Sequence, residues 1–192
     1  MKENRYFAVL FMFVLTLVLS TILIGLERLT RDRVKSNDRI AFEQAVLRVF
    51  PEIHFQSASE IHSLFTRDFV APRTAGEAYE YKPSGQLAGY ALPFEGMGFW
   101  SKIRGVIGIA MDHKTITGIW FYDQAETPGL GARIVEPGFY GQFAGKSIGA
   151  APRPIRIRPP SEASPQDVQA ITGATQTCIR LEKLLNEAVV KW

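Results

Sequence analysis

Cysteine is nearly absent, with Cys178 alone in 192 residues. A single thiol excludes an internal disulfide and any cysteine-built zinc or iron–sulfur centre within this chain. Histidine is scarce too. His54, His62 and His113 lie too far apart for the usual ligand spacings, so they read as surface or turn residues and no metal site is expected. No glycine-rich loop ends in Gly-Lys-Ser/Thr, no NAD(P) fingerprint is present, and no internal repeat or low-complexity tract appears. The excess of 22 Lys and Arg over 19 Asp and Glu gives a net charge of +3 without any nucleic-acid motif, so no nucleic-acid partner is expected.

Charge and proline are both missing from residues 7–26, FAVLFMFVLTLVLSTILIGL. Twenty helical residues rise about 30 Å, one hydrocarbon core. The apolar run continues to Leu26 and meets Glu27-Arg28 with no Ala-x-Ala nearby, which favours an uncleaved single-pass anchor over a signal peptide. Arg28, Arg31, Arg33, Lys35 and Arg39 follow the span, a cluster suited to anionic membrane lipid. Only Lys2, Arg5 and the α-amino group precede it, so charge counting mildly favours a cytoplasmic domain.

The remaining chain reads as α+β. A short tail (1–6) and the span (7–26) lead to a juxtamembrane helical connector (27–52), stopped near Pro51, and then to one domain (53–192). Residues 53–78 carry no clear pattern, and 72–76 look like loop. Tyr79–Tyr81 and Gln86–Leu92 form a hairpin around Pro83 and Gly85; Val106–Met111 and Thr115–Tyr122 form a second around Asp112-His113-Lys114. Ile155–Arg158 alternates between prolines as a short edge strand with solvated arginines. Cys178, Leu181, Leu185 and Ala188 give a C-terminal helix, beginning near Thr175, its buried stripe.

Three glycine-bearing segments are the candidates for chemistry. In Gly96-Met97-Gly98-Phe99-Trp100-Ser101, two glycines beside two aromatics either admit a flat ligand or turn into a core aromatic pair. Glu126-Thr127-Pro128-Gly129-Leu130-Gly131 either grips a polar heteroaromatic edge or simply ends a strand. Thr172-Gly173-Ala174-Thr175-Gln176-Thr177 opens the last helix, where free N–H groups and the helix dipole suit a phosphate; a threonine N-cap with nothing bound would look the same.

The three segments, in this order, resemble covalent FMN-binding domains. Thr172-Gly173-Ala174-Thr175 is similar to their Ser/Thr-Gly-Ala-Thr flavinylation motif. The nearest likeness is to the FMN-carrying subunits of sodium-pumping NADH:quinone reductases and of Rnf electron-transport complexes, over about Gly96–Trp192. The resemblance implies FMN attached to Thr175 as a phosphoester by a separate flavin transferase that recognises Thr172, Gly173 and Ala174. It implies that Trp100, Ser101, Glu126, Thr127, Gly129, Leu130 and Gly131 surround the flavin, with Thr177 as a phosphate hydrogen-bond donor. It further implies an electron carrier with no catalytic acid, base or nucleophile of its own, partnered by other membrane subunits of a translocase. Its FMN domain would face the extracytoplasmic side of the inner membrane, against the charge count. One position departs: the family usually has aspartate six residues before the acceptor, where this chain has Gln169, with Asp167 two residues earlier. That departure supports the alternative, a non-redox membrane-anchored assembly or sensory module on the same fold.

Overall fold

A computed structural model describes residues 5–74 and 76–192, so that Lys2 in the expected tail and Ala75 in the expected loop lie outside the described residues. The chain divides into two compact units, Met1–Arg39 and Ile40–Trp192. In the first, α1 (Arg5–Arg48, continuing into the second unit) carries the charge-free stretch with its large apolar side chains exposed. Among the described residues it is the one helix long and apolar enough to cross a membrane.

The second unit is built on a five-stranded antiparallel meander in the order β1 (Phe69–Val70), β2 (Tyr79–Tyr81), β3 (Gly89–Met97), β4 (Lys102–Ala110) and β5 (Ile116–Asp123). Both expected hairpins are present, pairing Tyr81 with Gly89 and Ile109 with Ile116. A third, between β3 and β4, closes at Met97 opposite Lys102, so Gly96 and Met97 are strand residues and the turn is Gly98–Ser101.

Alternation along β3 and β4 sends side chains to both faces, and both are covered. Leu92, Phe94, Ile103, Ile107 and Ile109 face α4 (Thr175–Lys191), whose Cys178, Leu181 and Leu185 are buried as the stripe requires. Ala91 and Val106 face the end of α1 and the residues after it, where Ala45, Val46, Leu47, Val49 and Phe50 are buried with Ile61 of α2 (Ala58–Asp68). Residues 40–50, expected from the sequence to form part of a connector, thus belong to the core of this unit.

Glycines set the approach on each side. Gly108 pairs with Gly118, and a Cβ on Gly108 would lie 2.8 Å from the Val49 carbonyl oxygen, the same oxygen that accepts a hydrogen bond from Thr117 at 2.7 Å. On the opposite face, a Cβ on Gly96 would overlap Leu184 of α4. Gly96, for which the sequence left a ligand or a turn open, admits this helix instead.

α2 lies in the stretch 53–78, where no element was expected. Ser57 caps it by accepting the Glu60 N–H, and Glu60 reaches back to the Gln56 N–H at 2.7 Å, a Ser-x-x-Glu box visible in the sequence. Between β5 and α4 run the short helix α3 (Pro137–Tyr140) and a two-stranded parallel pair, β6 (Ile157–Arg158) with β7 (Val168–Gln169). The arginines here pair with carboxylates, Arg156 with Asp167 at 2.7 Å and Arg158 with Glu182 at 3.1 Å.

Candidate functional site

The three glycine segments meet at the start of α4. Glu126, on the loop after β5, is 4% exposed. One of its oxygens, Oε1, accepts the N–H groups of Trp100 (2.9 Å) and Ser101 (3.1 Å) from the β3–β4 turn; the other, Oε2, accepts the Thr177 hydroxyl (2.8 Å) from the first turn of α4. Burial alone would raise this carboxyl, but the Ser101 and Trp100 amides and the Thr177 hydroxyl favour its charged form and hold it below the ordinary range. Glu126 therefore stays ionised and ties three segments together from inside.

Two glycines leave room for this knot. A Cβ on Gly98 would lie 2.5 Å from Glu126 Oε1, and one on Gly131 would lie 2.5 Å from the Thr177 hydroxyl. Ser101 extends the bracing, its hydroxyl accepting the Ala125 N–H at 2.7 Å. Thr127 closes the loop through its carbonyl, which receives the N–H groups of Leu130 and Ala132. Gly129, at φ +74°, makes the turn between them.

Over this frame lies an open cavity of about 180 Å³, bordered by Phe99, Trp100, Thr127, Leu130, Gly131 and residues 173–177. Trp100 is 69% exposed and Leu130 43% exposed, although both are apolar enough to be buried if a partner surface were available within the chain. Phe99 stands edge-on to Trp100 at 5.1 Å, and the Arg180 guanidinium lies 6.0 Å from its ring centre.

At the cavity's far wall, Gly173 adopts φ +84° and α4 begins at Thr175 without a side-chain cap. Among the described residues no acceptor meets the N–H groups of Thr175, Gln176 and Thr177. These donors and the helix dipole make the place suited to an anionic oxygen group. Thr175 is exposed and borders the cavity.

The structure thus brings Trp100, Thr127, Leu130, Gly131, Gly173, Ala174, Thr175 and Thr177 to one cavity. Ser101, Glu126 and Gly129 do not line it, and exposed Thr172 borders a second cavity shared with Gly173 and Thr175. The polar contacts expected of Glu126 toward a ligand are taken up by the protein, as is the hydroxyl of Thr177. Phe99 and Gln176 are additions; Phe99 lay inside the quoted aromatic segment, and its neighbour Arg180 sits on the exposed face of α4. Gln169, at the departing position, has its backbone N–H and carbonyl bonded to the Gln142 side chain. Asp167 accepts from Ser164 and pairs with Arg156, bordering neither cavity that Thr175 borders.

A flat aromatic group carrying a phosphate fits these residues. Exposed Trp100 and Leu130 offer apolar area, the start of α4 offers donors, and a left-handed Gly173 keeps the wall low, since a Cβ there would come within 3.1 Å of Leu130.

Residues 98–190 match the FMN-binding domain family. The chain is 37% identical over 97 residues to NqrC of Pasteurella multocida, a subunit of its Na(+)-translocating NADH-quinone reductase, covering 49% of this chain and 37% of that protein. It is 36% identical over 107 residues to the same subunit of Yersinia pestis, covering 53% and 40%. The chain therefore spans about two fifths of the length of these curated relatives. Its fold is that of the crystal structure of the corresponding subunit from Parabacteroides distasonis, with a TM-score of 0.67, 22% identity, and 81% and 92% of the two chains covered. The Shewanella oneidensis NqrC structure superposes with a TM-score of 0.62 at 18% identity, covering 80% and 91%. Residues 98–190, which hold all three glycine segments apart from Gly96 and Met97, are thus similar to the FMN-binding domain family and to the NqrC subunits of Na(+)-translocating NADH-quinone reductases.

Proposed function

We propose that this chain is a membrane-anchored electron-transfer subunit that carries FMN covalently, through a phosphoester to Thr175, within an ion-translocating complex of the sodium-pumping NADH:quinone reductase or Rnf type. The observation that carries the reading is the position of Thr175: an exposed hydroxyl-bearing residue that opens a helix with free N–H groups and lines a cavity flanked by exposed Trp100 and Leu130.

FMN, when bound, supplies the redox chemistry. The chain's own residues hold it: Thr175 provides the oxygen, the start of α4 faces the phosphate, and Trp100 and Leu130 lie against the ring. Glu126 keeps these pieces in register without touching the group. A separate flavin transferase installs the FMN, recognising Thr172, Gly173 and Ala174, of which Thr172 and Gly173 are exposed on the approach to α4 and Ala174 is buried. Other membrane subunits deliver and collect electrons, and lipid surrounds α1.

After expression beside a flavin transferase, the denatured protein should fluoresce as a flavin in a gel, and Thr175→Ala should abolish the band without loss of folding. A dark wild-type band would favour the non-redox assembly module instead. We further place the domain on the extracytoplasmic side of the inner membrane; a reporter fused after Trp192 should be active only there, and cytoplasmic activity would reverse the assignment.

A further inference from the structure

Thr175 borders two cavities. The first lies beside Trp100 and Leu130, about 180 Å³. The second, about 380 Å³, lies across the Thr172–Thr175 segment, with Gly173 and Thr175 common to both. Its walls include Pro159, Pro160, Ala170 and Ile179, and Ile179 is 57% exposed on the outer face of α4. Arg158 brings a positive charge to its edge, partly balanced by Glu182 at 3.1 Å.

Size separates the two. Sites that bury most of a small organic ligand have volumes of about 300–1,000 Å³. The cavity beside Trp100 falls short of that range, so a three-ring system laid there keeps much of its surface in contact with solvent or a partner. The second cavity falls within it and presents the mainly apolar walls that a flat heteroaromatic ring favours. Nothing in the first turn of α4 forces one choice: Thr175 is exposed, and the Gly173 beside it has no side chain to divide the two spaces.

We propose that the isoalloxazine tethered at Thr175 has two resting places, a smaller one against Trp100 and Leu130 and a larger, mainly apolar one against Pro159, Pro160 and Ile179. This rests on attachment at Thr175. The smaller place leaves more of the ring free for exchange with a partner protein; the larger one covers more of it between exchanges. A tether on single bonds joins them, and a partner that binds the form at Trp100 shifts the balance toward it.

The test is time-resolved flavin fluorescence of the full-length flavinylated chain in lipid nanodiscs, with the FMN mass on Thr175 measured on the same samples. Trp100 quenches a ring stacked on it, so the wild type should decay with a short and a long component. Trp100→Phe should lengthen the short component at least twofold. Ile179→Trp, an exposed position where folding is not at stake, should place a quencher in the second cavity and cut the long component at least twofold while leaving the short one unchanged. A single decay component, or a long component indifferent to Ile179→Trp, overturns the two-place proposal while leaving attachment intact. Absence of the FMN mass on Thr175 overturns both.

Discussion

Glu126 receives two backbone N–H groups from a hairpin turn and a hydroxyl from a helix, so its loss is felt in three segments at once. Glu126→Ala leaves those buried donors without an acceptor, a cost on the order of 3 kcal/mol by denaturant unfolding. Glu126→Gln retains an acceptor oxygen for the two amides and should cost less. The two forms should also differ in acid. The carboxyl of Glu126 titrates lower in the folded protein than in the unfolded chain, so its contribution is complete above the unfolded-state value and is lost as pH falls through the folded-state value. Stability of Glu126→Gln relative to wild type should therefore improve as pH drops below about 4.5; a constant difference would contradict the charged role. Much of this scale was legible in the sequence, because the three segments are contiguous and each carries glycine. What could not be read was the direction of each side chain. Glu126 looked like a ligand group, and Gly96 and Gly98 could be read as room for a ligand or as a turn. Only folding across 26 residues between Trp100 and Glu126, and 51 between Glu126 and Thr177, shows that all three serve packing inside the frame.

α4 performs two tasks, closing one face of the sheet with its stripe and presenting its first turn to the cavity. Leu185 is fully buried two turns or more from Thr175, so Leu185→Ala should lower stability by about 3 kcal/mol through the cavity it leaves, with the flavin band retained. Loss of labelling in a still-folded Leu185→Ala protein would show that the acceptor site depends on the whole helix. The helix was readable because its apolar spacing runs unbroken from Cys178 to Ala188, and the hairpins because turn formers punctuate β-branched runs. α2 escaped because its core contribution is thin. Ile61 is its one buried apolar residue, while Leu64 and Phe65 are only partly buried, and the capping box gave the stronger signal. The extension of β3 through Gly96 and Met97 escaped for a different reason: Gly96 is a poor strand former alone, and its place in β3 is set by the helix packed upon it.

For the molecule as a whole, the boundary between anchor and domain lies earlier than the helical periodicity suggests. Ala45, Val46, Leu47, Val49 and Phe50 are buried against the sheet, so a fragment of residues 40–192 should unfold cooperatively and accept FMN from a flavin transferase as the full chain does. A fragment of residues 53–192 removes five buried apolar side chains at about 2–5 kcal/mol for each large one, more than a domain with a typical total of about 5–15 kcal/mol can lose. Thermal unfolding by circular dichroism of the two fragments decides it, and an equally cooperative 53–192 fragment would contradict the assignment. The sequence hid this because α1 is one continuous helix from Arg5 to Arg48, and nothing in its local pattern marks where it leaves one unit for the other. The central claim, a flavin held by one particular hydroxyl at the mouth of the Trp100 cavity, is tested most directly by peptide mapping with mass spectrometry on the flavinylated wild type. The account predicts the mass of one FMN less one water on Thr175 alone; the same mass on Thr172 or Thr177, or none on any peptide of the chain, would contradict it.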